Sequence, residues 1–280
     1  MPPVPLGPEL TSIRSGRVQA ARRLAKRALR AREGRFLAEG PQAVREAVAE
    51  PGTVTELFVT REAAERHPDL LAPAAGHEVP VHLVSGEVMS AIAQTVTPQG
   101  VVAVCRTVDR PLDEVLAAAP RLVAVLAHAR DPGNAGTVLR TADAAGAGAV
   151  LMTGGSVDPY NPKCVRASAG SLFHLPVAVG RDVAQDLPAL RAAGLRVVAA
   201  DGHADLDLDR ATDQGLLAGP TAWVFGNEAW GLPPQTRELA DVVVKVPIHG
   251  RAESLNLATA AAVCLYASAR AQRSTNHRES

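Results

Sequence analysis

Cysteine is scarce in this chain: Cys105, Cys164 and Cys264 stand far apart in 280 residues. Without paired spacing they form neither a zinc motif nor a disulfide framework, and each reads as a small buried hydrophobe. Aromatics are also few, two Trp, two Tyr and four Phe, which argues against an extended base-stacking surface of the kind single-strand binders use. Neither sign of charge is in excess, with 29 basic and 29 acidic residues. No apolar run is long enough to span a bilayer. The opening MPPVPLGPEL lacks the charged and apolar regions of a signal peptide, so the expected location is the cytoplasm.

What is present is aliphatic and unevenly charged. The chain is 47% hydrophobic and 21% charged, rich in Ala, Val, Leu and Arg. A core of small and branched aliphatics suits helices packed on a parallel sheet. Between Arg14 and Arg35 there are nine Lys or Arg residues and one acid, Glu33. Such a segment on a neutral protein reads either as a confined polyanion contact or as a solvated helical face.

Along the chain, residues 11–33 predict one basic helix, followed by a strand at 35–40 and a helix at PQAVREAVAE. TELFVT, VPVHLVS and GVVAVCRTV are strands alternating with helices at REAAERHPDLLAPAAG and EVMSAIAQ, a βαβ-type unit of about one hundred residues. The Pro-flanked stretch 109–121 reads as a link. Beyond it, strands at RLVAVLA, AGAVLMT, LPVAV, LRVVAAD, TAWVFG and DVVVKVP alternate with helices, and a long helix starts near Ser254. This pattern predicts an α/β fold with a mostly parallel sheet covered on both faces. The tail STNHRES reads as disordered.

Three motifs that invite a functional reading have little behind them. GAGAV at 146–150 lies at a helix end before a strand, the reverse of a dinucleotide turn, and reads as a glycine cap. GHADLDLDR at 202–210 aligns three aspartates, but without a glycine-spaced calcium loop or a His partner it reads as a solvated loop. Ser156 lacks a nucleophile elbow. No metal site is expected.

Three loops carry more, each following an apolar strand: DPGNAGTVLR (131–140), FGNEAWGLP (225–233) and VPIHGRAESLNLATAA (246–261). Each alone also reads as an ordinary capped turn; together they predict one composite site at the carboxyl edge of the sheet. In the first, Pro132 and Gly133 make a turn, Asn134 caps a helix and Arg140 lies about two turns inside. In the second, Gly226 and Gly231 let the backbone approach a ligand, and Glu228 sits at the tip. In the third, Ser254 and Asn256 open a helix. With no Cys, Lys nucleophile or metal cluster, the site suits positioning and charge stabilisation rather than covalent catalysis.

The three loops resemble, in order and spacing, the signature motifs of the SpoU/TrmH family of RNA ribose 2′-O-methyltransferases in the SPOUT superfamily. VRASAGSLFHLPV (165–177) resembles an intervening family segment, and FLAEGPQAVREAV its N-terminal substrate-binding domain. The resemblance implies residues 1–108 as a small α/β RNA-binding domain, 109–120 as linker, 121–272 as a methyltransferase domain with a deep trefoil knot, and 273–280 as tail. It implies S-adenosylmethionine as cofactor, a homodimer, and structured RNA as substrate, ribosomal RNA first and transfer RNA as the alternative. Carried over by motif, Gly226, Val246 and Leu255, with Ile248 and Leu257 beside them, contact the cofactor. Asn134, Arg140, Glu228, Ser254 and Asn256 form the catalytic shell, and Arg140 and Arg166 contact RNA. Arg22, Arg23, Lys26, Arg27 and Arg35 of the basic segment are further candidates for RNA contact. Asn227, Trp230 and His249 stand at variable positions and receive no role. A non-catalytic RNA-binding or ribosome-assembly factor would lack Asn134, Arg140 or Asn256, all present here. A nicotinamide enzyme would need a phosphate turn the chain does not have.

Overall fold

The computed structural model describes residues 6–180 and 182–276. The chain divides into two units, Met1–Val108 with Tyr160–His174, and Asp109–Pro159 with Leu175–Ser280. A division at consecutive boundaries does not express this packing, because the segment around 160–174 joins the first unit. Phe36 draws it there, with ring centroids 4.6 Å from Tyr160 and 6.0 Å from Phe173. The Tyr160 hydroxyl also accepts the Val108 N–H at 2.8 Å.

In the first unit, β1 (Arg35–Glu39), β2 (Val54–Val59), β3 (Val81–Leu83) and β4 (Val101–Arg106) form a sheet in the order β1-β4-β2-β3. Only the β2–β3 pair is parallel; β4 runs antiparallel to both its neighbours. The expected βαβ unit is therefore confined to β2 and β3. Two expected helices are broken. Residues 11–33 give Gly16–Arg23 and Arg27–Glu33, and the guanidinium of buried Arg30 folds back to the carbonyls of Leu24 and Ala25 at 2.9 and 2.8 Å. Those acceptors, freed by the break, are thus satisfied. The stretch 61–76 is interrupted at His67, before Pro68, whose ring cannot continue the preceding turn.

In the second unit, β5 (Leu122–Leu126), β6 (Ala149–Met152), β7 (Val177–Val179), β8 (Arg196–Ala200), β9 (Leu206–Asp207), β10 (Thr221–Phe225) and β11 (Val242–Lys245) form one sheet. Its order is β7-β6-β5-β10-β8-β11-β9, and every pair is parallel. Alternate residues point to opposite faces. Val123, Val125, Ala222 and Val224 pack with Val115, Val183, Leu187 and Leu190 on one face. On the other, Trp223 is fully buried and donates its indole N–H to Ser268 of the helix Leu257–Asn276 at 2.8 Å.

Three expectations are corrected in this unit. The stretch 109–121 is not a plain link: Leu112–Ala117 is helical and Val115 enters the core. Residues 202–210 are not a solvated loop, since Asp207 ends β9 and caps the helix Leu208–Asp213 by accepting the Arg210 N–H at 2.8 Å. The C-terminal helix runs through Asn276, so the front of the expected tail is helical and residues 277–280 lie outside the described residues. Gly146 is the left-handed cap (φ 79°) of the helix Pro132–Ala145, as its position before a strand implies.

Candidate functional site

All three loops leave carboxyl ends of parallel strands: β5, β10 and β11. Neighbouring β10 and β5 are joined in sequence through strands on opposite sides of that pair. A reversal of strand order of this kind opens a crevice beyond the strand ends, the usual ligand position in such sheets.

In the first loop, the N-cap is Asp131 and not Asn134. Its carboxylate accepts the Asn134 N–H at 2.8 Å, and Pro132 opens the helix. Asp-Pro at a helix start is a readable capping signal. Asn134 is thereby left in the first turn with its amide free for other partners. Its Nδ2 donates to Glu228 Oε1 at 3.3 Å, and its Oδ1 accepts from Asn256 Nδ2 at 3.0 Å. Asn256 caps the C-terminal helix, accepting the N–H groups of Ala258 and Thr259 at 2.9 and 3.3 Å. One side chain from each loop thus joins a continuous chain, Asn256 to Asn134 to Glu228.

Glu228 carries a further duty. Its two oxygens accept the backbone N–H groups of Arg130 and Asp131, each at 3.0 Å. Partial burial alone would push its carboxyl up. The N–H donors of Arg130, of Glu228 itself and of Asp131, with the Asn134 amide, outweigh burial and hold it below the ordinary carboxylate value. It stays ionised and acts as a brace between the first two loops.

Asn227, given no role from sequence, locks the same pair of loops. It is buried, donates to the His128 carbonyl at 2.8 Å, and closes its own turn through reciprocal backbone bonds with Gly231. The turn also explains Gly226. A side chain there would run into the Gly231 carbonyl and the Leu232 amide. Glycine is required by the packing of the loop itself, not only by approach of a ligand.

Beside the polar chain lies a cavity of about 820 Å³. Its lining includes Gly226, Val246, Ile248, Leu255 and Leu257, all five residues the motifs assign to the cofactor, with Glu228 and Ser254. Asp201, Asp207, Lys245 and Glu253 also face it, and the sequence reading gave none of them a role at the site. Asn134 and Arg140 are not in the lining. Arg140 sits six residues beyond Asn134 on the same helix, exposed and without a side-chain partner among the described residues. The structure does not bring it to the Asn134–Glu228–Asn256 chain.

The first unit holds the other candidates. Arg166 pairs with buried Glu39 at 3.5 Å, and Arg35 with Glu33 at 3.3 Å. The side chains of Arg22, Arg23, Lys26 and Arg27 are exposed around the helix break and have no partner among the described residues. The cysteines are buried, and burial pushes both Cys105 and Cys264 up, the latter to about 12. Ser156 donates to the Leu126 carbonyl at 3.0 Å inside the core. No cluster of three or more His, Cys, Asp or Glu with metal-binding geometry occurs among the described residues, and no helix among them is long and apolar enough to cross a membrane.

A parallel sheet with a partly apolar cavity at its carboxyl edge, lined among the described residues by no cysteine, defines an α/β protein with a small-molecule site at its strand ends. Comparison with known proteins narrows this. Residues 121–266 match the SpoU rRNA Methylase family and residues 16–103 the MRM3-like substrate binding domain. The 23S rRNA (guanosine(2553)-2′-O)-methyltransferase RlmP of Bacillus subtilis is 33% identical over 261 residues, 92% of this chain and 98% of that protein. The AdoMet-bound rRNA methyltransferase of Sinorhizobium meliloti superposes with a TM-score of 0.82 at 30% identity, covering 94% of this chain and 97% of that one. AviRb of Streptomyces viridochromogenes, a SpoU methyltransferase in complex with AdoMet, gives 0.81 at 32% identity, covering 93% and 99%. This chain belongs to the SpoU rRNA methylase family.

Proposed function

We propose that this protein transfers the methyl group of S-adenosylmethionine to a ribose 2′-hydroxyl of ribosomal RNA. The observation that carries the reading is the hydrogen-bonded chain Asn256–Asn134–Glu228 lying beside a cavity lined by the five motif residues. The cavity fits the cofactor chemically. Its volume falls within the range of about 300–1,000 Å³ for small-molecule sites. Val246, Ile248, Leu255 and Leu257 offer apolar surface to a purine, and four carboxylates against Lys245 suit a ligand with sulfonium and ammonium charges.

When bound, S-adenosylmethionine supplies a methyl group already activated for transfer, which removes the need for a protein nucleophile. The chain's own residues then align the reacting groups. Asn134, fixed at both ends of its amide, orients the incoming ribose. Arg140 presents a guanidinium fork to the adjacent phosphate and to the hydroxyl. Because guanidinium remains protonated, the hydroxyl proton leaves to a phosphate oxygen or water. Ser254, at the cavity wall, and Arg166 make further polar contacts with substrate.

In this reading the first unit binds RNA, with Arg22, Arg23, Lys26 and Arg27 meeting phosphates. The cofactor loops form the trefoil knot of the SPOUT fold. A homodimer forms through the C-terminal helix, where Val263 and Tyr266 are 40% and 52% exposed on one face. Arg140 of one subunit then serves a site shared with its partner, in the cytoplasm, where ribosomal RNA is made and used. The test is methyl transfer from labelled S-adenosylmethionine to unmodified 23S ribosomal RNA, with transfer RNA as a second substrate. Transfer to a single ribose of the 23S transcript is expected; transfer to transfer RNA alone, or to no RNA, would overturn the assignment.

A further inference from the structure

Trp230 is out of place on a chain with so few aromatics. It is 52% exposed, whereas the other tryptophan, Trp223, is fully buried. Its ring lies against the imidazole of His128, with centroids 5.7 Å apart and a tilt of 45°. His128 itself is held at φ 59°, a left-handed conformation that a residue with a β-carbon adopts only against strain.

The surroundings enforce that conformation. The His128 carbonyl takes the Asn227 amide at 2.8 Å, and its N–H reaches Thr153 Oγ1 at 3.4 Å. Its ring fills the space over Gly155, where an added β-carbon would sit 2.9 Å from Nδ1. The backbone just before the first loop thus holds the imidazole against an exposed indole. No core is gained by this, because the indole remains half open to solvent.

The position of the pair suggests its use. Trp230 lines the cavity, and His128 stands two residues before Arg130, whose N–H is held by Glu228. The indole thus shares the cavity wall with Glu228, the end of the polar chain that includes Asn134. A nucleotide whose ribose is placed at that polar chain has its base within one glycosidic bond of the same spot. Every base has a π-face, and an exposed aromatic ring is the side chain that recognises it without regard to sequence.

We infer that Trp230, backed by His128, is the stacking platform for the nucleobase of the ribose being methylated. The inference rests on the RNA methyl-transfer reading above and adds to it the residue that holds the base. One platform of this kind is compatible with a chain that lacks an extended stacking surface. Glu228 and Trp230, two residues apart on one turn, then act together, one fixing the polar chain and the other the base.

The experiment compares wild type, Trp230→Ala and Trp230→Phe in methyl transfer to unmodified 23S ribosomal RNA, with S-adenosylmethionine affinity measured by calorimetry. Trp230→Ala should lose about 5- to 150-fold in kcat/KM for RNA, the range expected when one base loses its stacking partner. Trp230→Phe should restore most of that loss, and cofactor affinity should be unchanged in both. Trp223 is buried, so acrylamide quenching of tryptophan emission reads Trp230, and RNA should protect it. Loss of cofactor affinity in Trp230→Ala with RNA parameters unchanged would make the ring a cofactor wall and overturn the platform. Equal quenching with and without RNA would overturn it independently of turnover. A wild-type protein that binds S-adenosylmethionine but methylates no RNA would instead overturn the reaction on which the platform rests.

Discussion

Replacing Glu228 by Ala separates bracing from folding. The carboxylate holds three donors: the Arg130 and Asp131 N–H groups at 3.0 Å and the Asn134 amide at 3.3 Å. A hydrogen bond to a charged group is worth about 1.5–3 kcal/mol where water is excluded. Glu228 is exposed, so water takes over much of this role, and a global loss of about 1 kcal/mol is expected. The catalytic loss should be far larger. Without its acceptor the Asn134 amide can turn away, and a displacement of about 1 Å in a positioning group lowers a rate about 100-fold. Glu228→Gln should be intermediate, since its amide keeps one acceptor oxygen but points an NH₂ group at donors. The pH dependence follows from the carboxyl being held below its ordinary value of 4.5. Its stabilising increment is complete above the unfolded value and is lost as pH falls through the lower folded value, so it vanishes only on the acid side of 4.5 and is absent from Glu228→Gln. Thermal unfolding, calorimetry with S-adenosylmethionine and single-turnover transfer to 23S ribosomal RNA read the three quantities. Wild-type turnover in Glu228→Ala would refute the brace, and so would a loss of turnover that merely tracked unfolding.

Arg140→Ala should abolish methyl transfer while cofactor affinity stays within about twofold of wild type, and Arg140→Lys should not rescue it, because a point charge lacks the planar fork; near-normal turnover would exclude Arg140 from the reaction. Gly226→Val should lower the unfolding temperature, with a stability loss of about 1–3 kcal/mol from collision with the Gly231–Leu232 backbone. A fully stable variant that fails only in cofactor binding would restore the ligand-approach reading. Substituting Ala for Arg22, Arg23, Lys26 and Arg27 together should make RNA binding less sensitive to salt, lowering the log–log slope by about 0.7–0.9 for each phosphate no longer neutralised, without changing the unfolding temperature. An unchanged slope would make the quartet a solvated surface. Arg30→Ala should behave oppositely, losing stability because the Leu24 and Ala25 carbonyls lose their donor.

The second unit was largely legible because parallel strands buried on both faces leave unbroken aliphatic runs such as LVAVL, which is followed by a capped helix. The helix break at 24–26 was less so, since Leu24, Arg27 and their neighbours keep helical spacing and the interruption shows only in the local bonds from Arg30 to the Leu24 and Ala25 carbonyls; the break at 67 had a readable cause in Pro68. Strand order was not legible at all. The insertion of β10 between β5 and β8 is a long-range pairing, and local periodicity carries no record of it. The same holds for residues 160–174, whose place is set by Phe36, over a hundred residues away in sequence. Within the site, motif residues identified the cavity wall, because loops after parallel strands converge on one edge. Side-chain direction was invisible, and with it the work of Asn227, the capping role of Asp131 and the separation of Arg140 from Asn134.

Direction is what the polar chain depends on. Glu228 is ionised and can only accept, so Asn134 must turn its Nδ2 toward it. That leaves the Asn134 Oδ1 as an acceptor, which Asn256 can meet only with its own Nδ2. The Asn256 Oδ1 is then left to cap the C-terminal helix, where the N–H groups of Ala258 and Thr259 require an acceptor. Each amide has one orientation that satisfies both neighbours, and each orientation follows from the one before. An aspartate at 256 would still cap the helix but would set a carboxylate against the Asn134 oxygen, and a serine at 134 would be too short to span Glu228 and Asn256. The helix so capped is pinned to β10 by the Trp223–Ser268 bond at 2.8 Å, and Asn256 caps its first turn. A reaction without a protein nucleophile draws its rate from alignment. In the proposed reaction that alignment rests on three loops whose hydrogen-bond polarity permits a single arrangement, anchored at one end by a capped helix and at the other by an ionised carboxylate.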